Sequence, residues 1–235
     1  MVIIPNERHV PTFDPTKLRI LLMGQPKCGK STFCTMNAKA FILDTDSNGT
    51  DYLKCFRLPV ANWNTFKEAL GELAKPENKA RFDTIVIDTV DMLWQRCREH
   101  VCTALGLGHE SDDKGFGRSW DMVKTEFLKA MAFIAGQGWG VWMVTHTVDK
   151  EIKVGGVKRT VTVSTMPEGG RALISKMVDV IMYLDVGADG SRTLCVVPED
   201  TLPVGDRTHH LTENITYRTP ESGYASLLEK FQEDI

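Results

Sequence analysis

The sequence predicts an α/β fold in which helices flank a mostly parallel central sheet. Short apolar runs of strand length alternate along the chain with stretches whose apolar residues recur at helical spacing. The apolar runs are hydrophobic at nearly every position, which is typical of parallel strands covered by helices on both faces. The chain has 235 residues, is 42% hydrophobic and carries a net charge of -3, a composition typical of globular proteins.

The predicted elements follow one another from residue 18 onward. Strands are expected at residues 18–23, 41–43, 84–87, 141–144, 178–184 and 193–197. Helices are expected at residues 30–37, 63–74, 90–101, 120–135 and 224–231. Asn62 or Asn64 is available as the N-cap of the second helix. A polar, Gly-rich loop is expected at 106–118, and residues 146–171 are predicted to leave the sheet as an excursion containing a β-hairpin.

Residues 1–17 are predicted to form an extended arm, and residues 18–235 a single domain. Pro5, Pro11 and Pro15 disfavour regular helix or inner strand in the arm. No apolar run approaches the roughly 20 residues of a membrane span, and the chain does not start with the pattern of a secretory signal. The six cysteines form no C-x-x-C pair, which is typical of free thiols in a reducing compartment. We therefore expect a cytoplasmic protein with no membrane partner.

The sharpest chemical signal is the segment GQPKCGKST, which fits the G-x-x-x-x-G-K-[ST] pattern of a phosphate-binding loop. It lies between a predicted strand and a predicted helix, so backbone N–H groups and the helix N-terminus can surround a phosphate chain. Lys30 is predicted to reach the β- and γ-phosphates of ATP, and the Ser31 hydroxyl to bind Mg²⁺. The predicted cofactor-binding residues are Gly24, Gln25, Pro26, Lys27, Cys28, Gly29, Lys30, Ser31 and Thr32.

Three polar residues at the ends of later strands are candidates to complete this site. Asp88 ends the third strand, where an acid can hold Mg²⁺ opposite Ser31 or cap the next helix. Asp46 follows the second strand and could orient the water that attacks the γ-phosphate, although the run D-S-N-G is also typical of a turn. His146 ends the fourth strand and could sense the γ-phosphate, or it could be a structural or exposed histidine.

A basic segment, residues 150–176, follows the fourth strand. Its basic residues are Lys150, Lys153, Lys158, Arg159, Arg171 and Lys176. Opposed by two acidic residues, they give the segment a net charge of +4 in a chain that is acidic overall. Gly155 and Gly156 stand between β-prone arms, which predicts a two-residue hairpin turn. Such a hairpin could follow the backbone of single-stranded nucleic acid. The alternative is a solvated hairpin. The acidic balance of the rest of the chain favours nucleic acid, whereas the missing aromatic residues count against it.

Together these motifs resemble the RecA-like branch of P-loop ATPases. More narrowly, the chain is similar to the short, core-only RecA-type proteins of bacteriophages that act in single-strand annealing and recombination. The resemblance is carried by GQPKCGKST, FILDTDSNGTDYL, FDTIVIDTVDMLW, GFGRSWDMVKTEFLKAM, WGVWMVTHT, MPEGGRALISKMVDVIMYLD and GDRTHHLTENI, which cover most of residues 18–215. It implies a RecA-like core, ATP with Mg²⁺, and rings or filaments whose subunits bind ATP between neighbours.

The resemblance also implies roles for two further positions. The catalytic acid falls on Asp46, where this chain has Asp in place of the usual Glu, so the rate of hydrolysis is left open. An arginine finger that acts on the neighbouring subunit falls on Arg207, for which a plain surface arginine is the alternative. The loops after the third and fourth strands are expected to face single-stranded DNA.

The expected function is therefore a DNA-binding, Mg²⁺-dependent ATPase that promotes annealing or recombination of single-stranded DNA. It is expected to work as a homo-oligomer in the cytoplasm, that of the host if the chain is phage-encoded, with a single-strand-binding protein as a further candidate partner. A small nucleotide or metabolite kinase is one alternative, although the sequence has no clear lid. A non-catalytic ATP-binding replication adaptor is another.

Overall fold

The computed structural model describes residues 6–7, 14–46, 49–115, 117–154 and 156–232. Its strands are β1 (Arg19–Gly24), β2 (Ala40–Asp44), β3 (Phe56–Pro59), β4 (Thr84–Asp88), β5 (Gly140–Val154), β6 (Val157–Ser164), β7 (Val180–Val186), β8 (Arg192–Cys195), β9 (Gly205–Asp206) and β10 (Ile215–Tyr217). Its helices are α1 (Lys30–Cys34), α2 (Trp63–Leu73), α3 (Pro76–Lys79), α4 (Val90–Ala104), α5 (Arg118–Gly136), α6 (Glu168–Met177) and α7 (Pro220–Lys230).

The strands form one sheet in the order β10-β8-β7-β1-β5-β4-β2-β3. From β7 to β3 in this order every neighbouring pair is parallel, whereas β8 and β10 extend the sheet in antiparallel fashion. The short strand β9 pairs with the start of β7, and β6 pairs with the outer half of β5. The predicted fold, a mostly parallel sheet with flanking helices and a hairpin excursion, is confirmed.

Helices cover both faces of this sheet, which explains the continuous apolar runs. On one face α2, α4 and α5 pack through side chains such as Phe66, Leu93 and Phe127. On the other face α1 and α7 pack through Phe33 and Leu227. Asn62 is the N-cap of α2, because its side chain accepts the backbone N–H of Thr65 at 2.9 Å.

The hairpin is a direct continuation of β5. Pairing of β5 with β6 runs from Thr147 opposite Ser164 to Val154 opposite Val157, which leaves two residues for the turn as predicted. The prediction was wrong for the rest of the basic segment, because Arg171 and Lys176 lie on α6 and not on the hairpin.

Two glycines explain why the sequence did not indicate α6. Gly169 and Gly170 lower the intrinsic helix propensity of this segment. A Cβ at Gly170 would lie 3.2 Å from a ring carbon of Trp94, so the absence of a side chain lets the helix approach that ring. The helix therefore depends on tertiary packing. The edge strand β3 is similar in this respect, since it is defined by its parallel pairing with β2.

Most of the predicted arm, residues 1–5 and 8–13, lies outside the described residues. Its last residues are not extended, because Pro15–Lys17 form one turn of 3-10 helix. Asp14 caps that turn by accepting the Thr16 N–H at 2.9 Å. Across the described residues, no helix combines the length and the apolar character needed to cross a membrane.

Candidate active site

The phosphate-binding loop joins the end of β1 to the start of α1. Gly29 caps α1 with φ of 104°, a left-handed conformation that favours glycine, and Lys27 also has a positive φ of 64°. At Gly24 a Cβ would lie 2.9 Å from the carbonyl oxygen of Leu184, so a side chain there would clash with the neighbouring strand. The glycines of the motif are therefore required by the local backbone path and by close packing.

Lys30 is a buried cation at the base of this loop, with 4% of its surface exposed. Its Nζ donates to the carbonyl oxygens of Gly24 at 2.9 Å and Gln25 at 2.8 Å, and lies 3.4 Å from Nδ1 of His146. An ammonium group can only donate, so His146 accepts through Nδ1 and carries its proton on Nε2. Lys30 forms no ion pair with any described residue, which leaves its charge available to an anionic ligand.

Asp88 and Ser31 form the donor set that fits a magnesium ion. Asp88 is 3% exposed, and its Oδ2 has no hydrogen-bond partner among the described residues. Burial raises the pKa of Asp88 to about 6, and a hydrogen bond from Ser31 opposes that shift. Because Mg²⁺ prefers carboxylate and hydroxyl oxygens, a buried carboxylate with an unpartnered oxygen beside a hydroxyl suits this ion. These two residues would hold it.

Asp46 and His146 face each other across the same cleft. Oδ2 of Asp46 lies 3.8 Å from Nε2 of His146, the nitrogen that carries the proton. The backbone of Asp46 is held by Asp44, whose Oδ1 accepts its N–H at 3.1 Å. Asp44 is itself buried and accepts from Arg57 at 3.2 Å and from the Thr50 hydroxyl. Asp46 is therefore held through Asp44 and carries its carboxylate into the cleft.

These side chains line one cleft of about 550 Å³ at the carboxyl ends of the parallel strands. Its lining includes the predicted residues Pro26, Lys27, Gly29, Lys30, Ser31, Thr32, Asp46, Asp88 and His146. The sheet order explains why they meet, because β5 lies between β1 and β4 and brings His146 between the loop and Asp88. The other three predicted residues of the loop, Gly24, Gln25 and Cys28, do not line the cleft.

Three lining residues were not predicted as site residues by the sequence analysis: Gly49, Tyr52 and Leu53. Tyr52 is 97% exposed, although an aromatic ring of this size normally buries much of its surface. A lone aromatic residue within the polar segment that follows Asp46 is the only sequence signal that could have indicated it. Its position on the rim suits stacking against a flat ligand group such as a nucleobase.

We expect Tyr52→Ala to weaken ATP binding by about tenfold, since stacking of a base on an aromatic ring contributes about 1–3 kcal/mol. Tyr52→Phe should keep wild-type affinity, because the ring and not the hydroxyl makes the contact. Titration of a fluorescent ATP analogue measures both variants. Equal affinity of the alanine variant and the wild type would contradict the stacking role.

Arg207 lies at the opposite end of the sheet from the phosphate loop. Asp206 pairs with Val180, which pairs with Ile20 near the start of β1, whereas the loop follows the end of β1. Nη2 of Arg207 contacts the carbonyl oxygen of Lys176 at 3.4 Å, and Nη1 lies 3.9 Å from Asp179. Arg207 is therefore remote from the cleft of its own subunit, and its action on a neighbour stays a prediction.

The sequence profile of the AAA domain family matches residues 16–208. This span includes the phosphate-binding loop and the three strand-end residues that meet it in the cleft. The chain belongs to the AAA domain family. The protein is therefore an ATPase. Both the family and the geometry of the cleft indicate that this AAA domain binds nucleotide at the phosphate-binding loop.

Two solved structures are similar to this AAA domain. One is a KaiC-like protein from the hyperthermophilic archaeon Pyrococcus horikoshii OT3, with 13% identity, 88% of each chain covered and a TM-score of 0.48. The other is the RadB recombinase, with 14% identity, 88% of this chain and 89% of that chain covered, and a TM-score of 0.49. No curated protein matches the sequence.

Proposed function

We propose that this AAA domain is a RecA-like, Mg²⁺-dependent ATPase that binds single-stranded DNA and promotes its annealing or recombination. The continuity of β5 is the observation that carries the proposal. One strand, Gly140–Val154, places His146 in the nucleotide cleft and then continues into the hairpin that bears Lys150 and Lys153. A displacement of His146 on binding or hydrolysis of ATP would therefore be transmitted along the same strand to the surface proposed to bind DNA.

In the nucleotide cleft each residue has a proposed role that follows from its chemistry. Lys30 exchanges its carbonyl contacts for the β- and γ-phosphates, and Ser31 and Asp88 hold the magnesium ion. When bound, that ion neutralises charge that develops on the phosphate oxygens. Asp46 accepts a hydrogen bond from the attacking water, and the Nε2 proton of His146 orients the Asp46 carboxylate.

On the hairpin, the basic residues differ in how free their charges are. Lys158 donates to Glu151 at 3.0 Å, and Arg159 pairs with Asp200. Lys150 and Lys153 are exposed and form no ion pair with any described residue. We therefore assign the main phosphate contacts to Lys150 and Lys153.

The tip of the hairpin also suits a strand of nucleic acid. Lys153 stands directly opposite Lys158, whose own charge is paired with Glu151, so Lys153 is the cation of this pair that is left for a phosphate. Ile152 and Val157 are 40% and 60% exposed and offer apolar contact to bases in place of the missing aromatic residues. Arg171 contributes less, because its Nη1 donates to the Ser164 carbonyl oxygen at 3.2 Å at the base of the hairpin.

We expect the double variant Lys150→Glu, Lys153→Glu to bind single-stranded DNA at least about tenfold more weakly. The slope of log affinity against log salt should fall by about 2, since each lysine that contacts a phosphate contributes about 1. Fluorescence anisotropy of a labelled oligothymidine with Mg·ATP measures both quantities. The matched control is Lys39→Glu, Lys79→Glu, which reverses two exposed charges before β2 and β4. Equal losses in the two double variants would contradict the hairpin assignment.

ATP hydrolysis with and without single-stranded DNA, each with Mg²⁺ or with a chelator, tests the proposed function as a whole. DNA-stimulated, Mg²⁺-dependent turnover is the expected result. Turnover that is indifferent to DNA, with no DNA binding under any nucleotide condition, would overturn the DNA part of the proposal. Transfer of phosphate from ATP to a nucleoside monophosphate would then support the kinase alternative.

A further inference from the structure

Arg192 reaches the phosphate-binding loop from a distant part of the chain. It begins β8, where it stands opposite Val186 of β7 and Tyr217 of β10. Its Nε donates to the carbonyl oxygen of Cys28 at 3.1 Å, across 164 positions of sequence. No local motif connects the two residues, so the contact is visible only in the folded chain.

The guanidinium also packs against the residue at which α1 begins. A Cβ at Gly29 would lie 3.2 Å from Nε of Arg192, so the side chain rests on the loop at this point. Gly29 is the N-cap of α1 and has no side chain with which to make a capping hydrogen bond. Arg192 therefore holds the junction between the loop and α1 from the carbonyl side, by donating to Cys28 and packing on Gly29.

No acid among the described residues forms an ion pair with Arg192. Other arginines of the chain have carboxylate partners, as Arg218 has Asp189 and Arg19 has Asp179. Within the described residues Arg192 makes a single side-chain hydrogen bond, to Cys28, and no ion pair. It is partly buried, and a permanent positive charge in that setting is stabilised by a nearby anion.

We propose that Arg192 is a positioning residue for the phosphate chain of the nucleotide. It does not line the cleft, so it acts through the loop. Its hydrogen bond fixes the Cys28 carbonyl group, which keeps the adjoining N–H groups of the loop directed at the phosphates. Its charge adds to the positive potential of the loop. The proposal concerns ATP binding and is independent of the proposed binding of DNA.

Arg192→Gln tests this inference by removing the charge while leaving a side chain that can donate a hydrogen bond. We expect affinity for both ATP and ADP to fall about tenfold, as is typical when a charged hydrogen-bonding group is lost. AMP, which lacks a β-phosphate, should lose less affinity. The KM for ATP should rise in step while kcat stays within about threefold, because Lys30, Asp46 and Asp88 remain in place.

Arg192→Lys keeps the charge but not the planar group, and it should recover part of the affinity. Arg218→Gln is the matched control, since Arg218 is an exposed arginine next to β10 that pairs with Asp189. Its nucleotide affinity should equal that of the wild type. Wild-type affinity in Arg192→Gln, or a fall in kcat at unchanged KM, would overturn the inference. If Arg192→Gln does not fold, Arg192→Lys decides: at least threefold weaker ATP binding supports the inference, and wild-type affinity overturns it.

Discussion

Replacing Lys30 by methionine is expected to abolish ATP hydrolysis, with turnover lowered by about 100-fold or more. The size follows from the cost of removing a single group that stabilises charge in the transition state of an enzyme. Methionine keeps much of the apolar volume of the lysine stem, so the buried position stays filled. The lost function is the positive charge that faces the phosphates from the base of the loop.

Lys39→Met is the matched control for this experiment. Lys39 is exposed and lies between α1 and β2, so its replacement should leave turnover unchanged. Steady-state phosphate release measures both variants, and circular dichroism melting without nucleotide verifies that each is folded. A Lys30→Met protein that keeps a third or more of wild-type turnover would place the hydrolytic site elsewhere in the chain.

Asp88→Asn is expected to abolish Mg²⁺-dependent hydrolysis and, at the same time, to stabilise the nucleotide-free protein. Asparagine is neutral and binds Mg²⁺ much less well than a carboxylate. Burial without a partner for Oδ2 makes the charged form of Asp88 costly in the empty site, which is why its pKa is raised to about 6. The Asp88 carboxylate therefore suits Mg²⁺ binding but lowers the stability of the metal-free protein.

The sign of the stability effect follows from the direction of this pKa shift. Because the pKa of Asp88 is higher in the folded chain than its ordinary value of 3.8, protonation favours folding. That contribution is fully present below about pH 4 and is lost as the pH rises through about 6. At pH 8 the charged carboxylate thus opposes folding by up to about 3 kcal/mol, a cost that Asp88→Asn removes.

Chemical denaturation of both proteins at pH 5 and at pH 8, without nucleotide or metal, measures this difference. The gain in free energy of unfolding from Asp88→Asn should be clear at pH 8 and roughly half as large at pH 5, because the loss of stability begins once the pH passes the ordinary pKa of 3.8. Asp83→Asn is a useful comparison, because Asp83 lies at the opposite end of β4 and accepts a hydrogen bond from Asn37 at 3.1 Å. A variant Asp88→Asn that is less stable than the wild type at pH 8 would show that the carboxylate does not carry this cost.

The sequence predicted most of the sheet, because each buried parallel strand is a contiguous apolar run between turn signals. It missed α6, whose glycines weaken the helical signal, and the hairpin alone was therefore assigned the charges of Arg171 and Lys176. The packing of Gly170 against Trp94 stabilises α6, for which the local helix propensity is low. Strand β3 escaped prediction for a related reason, since its partner strand rather than its composition defines it.

What the sequence determined by itself is the phosphate-binding loop, together with the class of chemistry it supports. The loop works through backbone N–H groups, glycine dihedral angles and one lysine, all within a single contiguous segment, so its pattern is complete in the sequence. The cleft around it is different. The contact of Lys30 with His146 depends on β5 lying between β1 and β4. The contact of Arg192 with Cys28 depends on β8 lying next to β7, on the other side of β1. Strand order decides such contacts, and because it is set by the packing of the whole sheet, only the tertiary structure shows them.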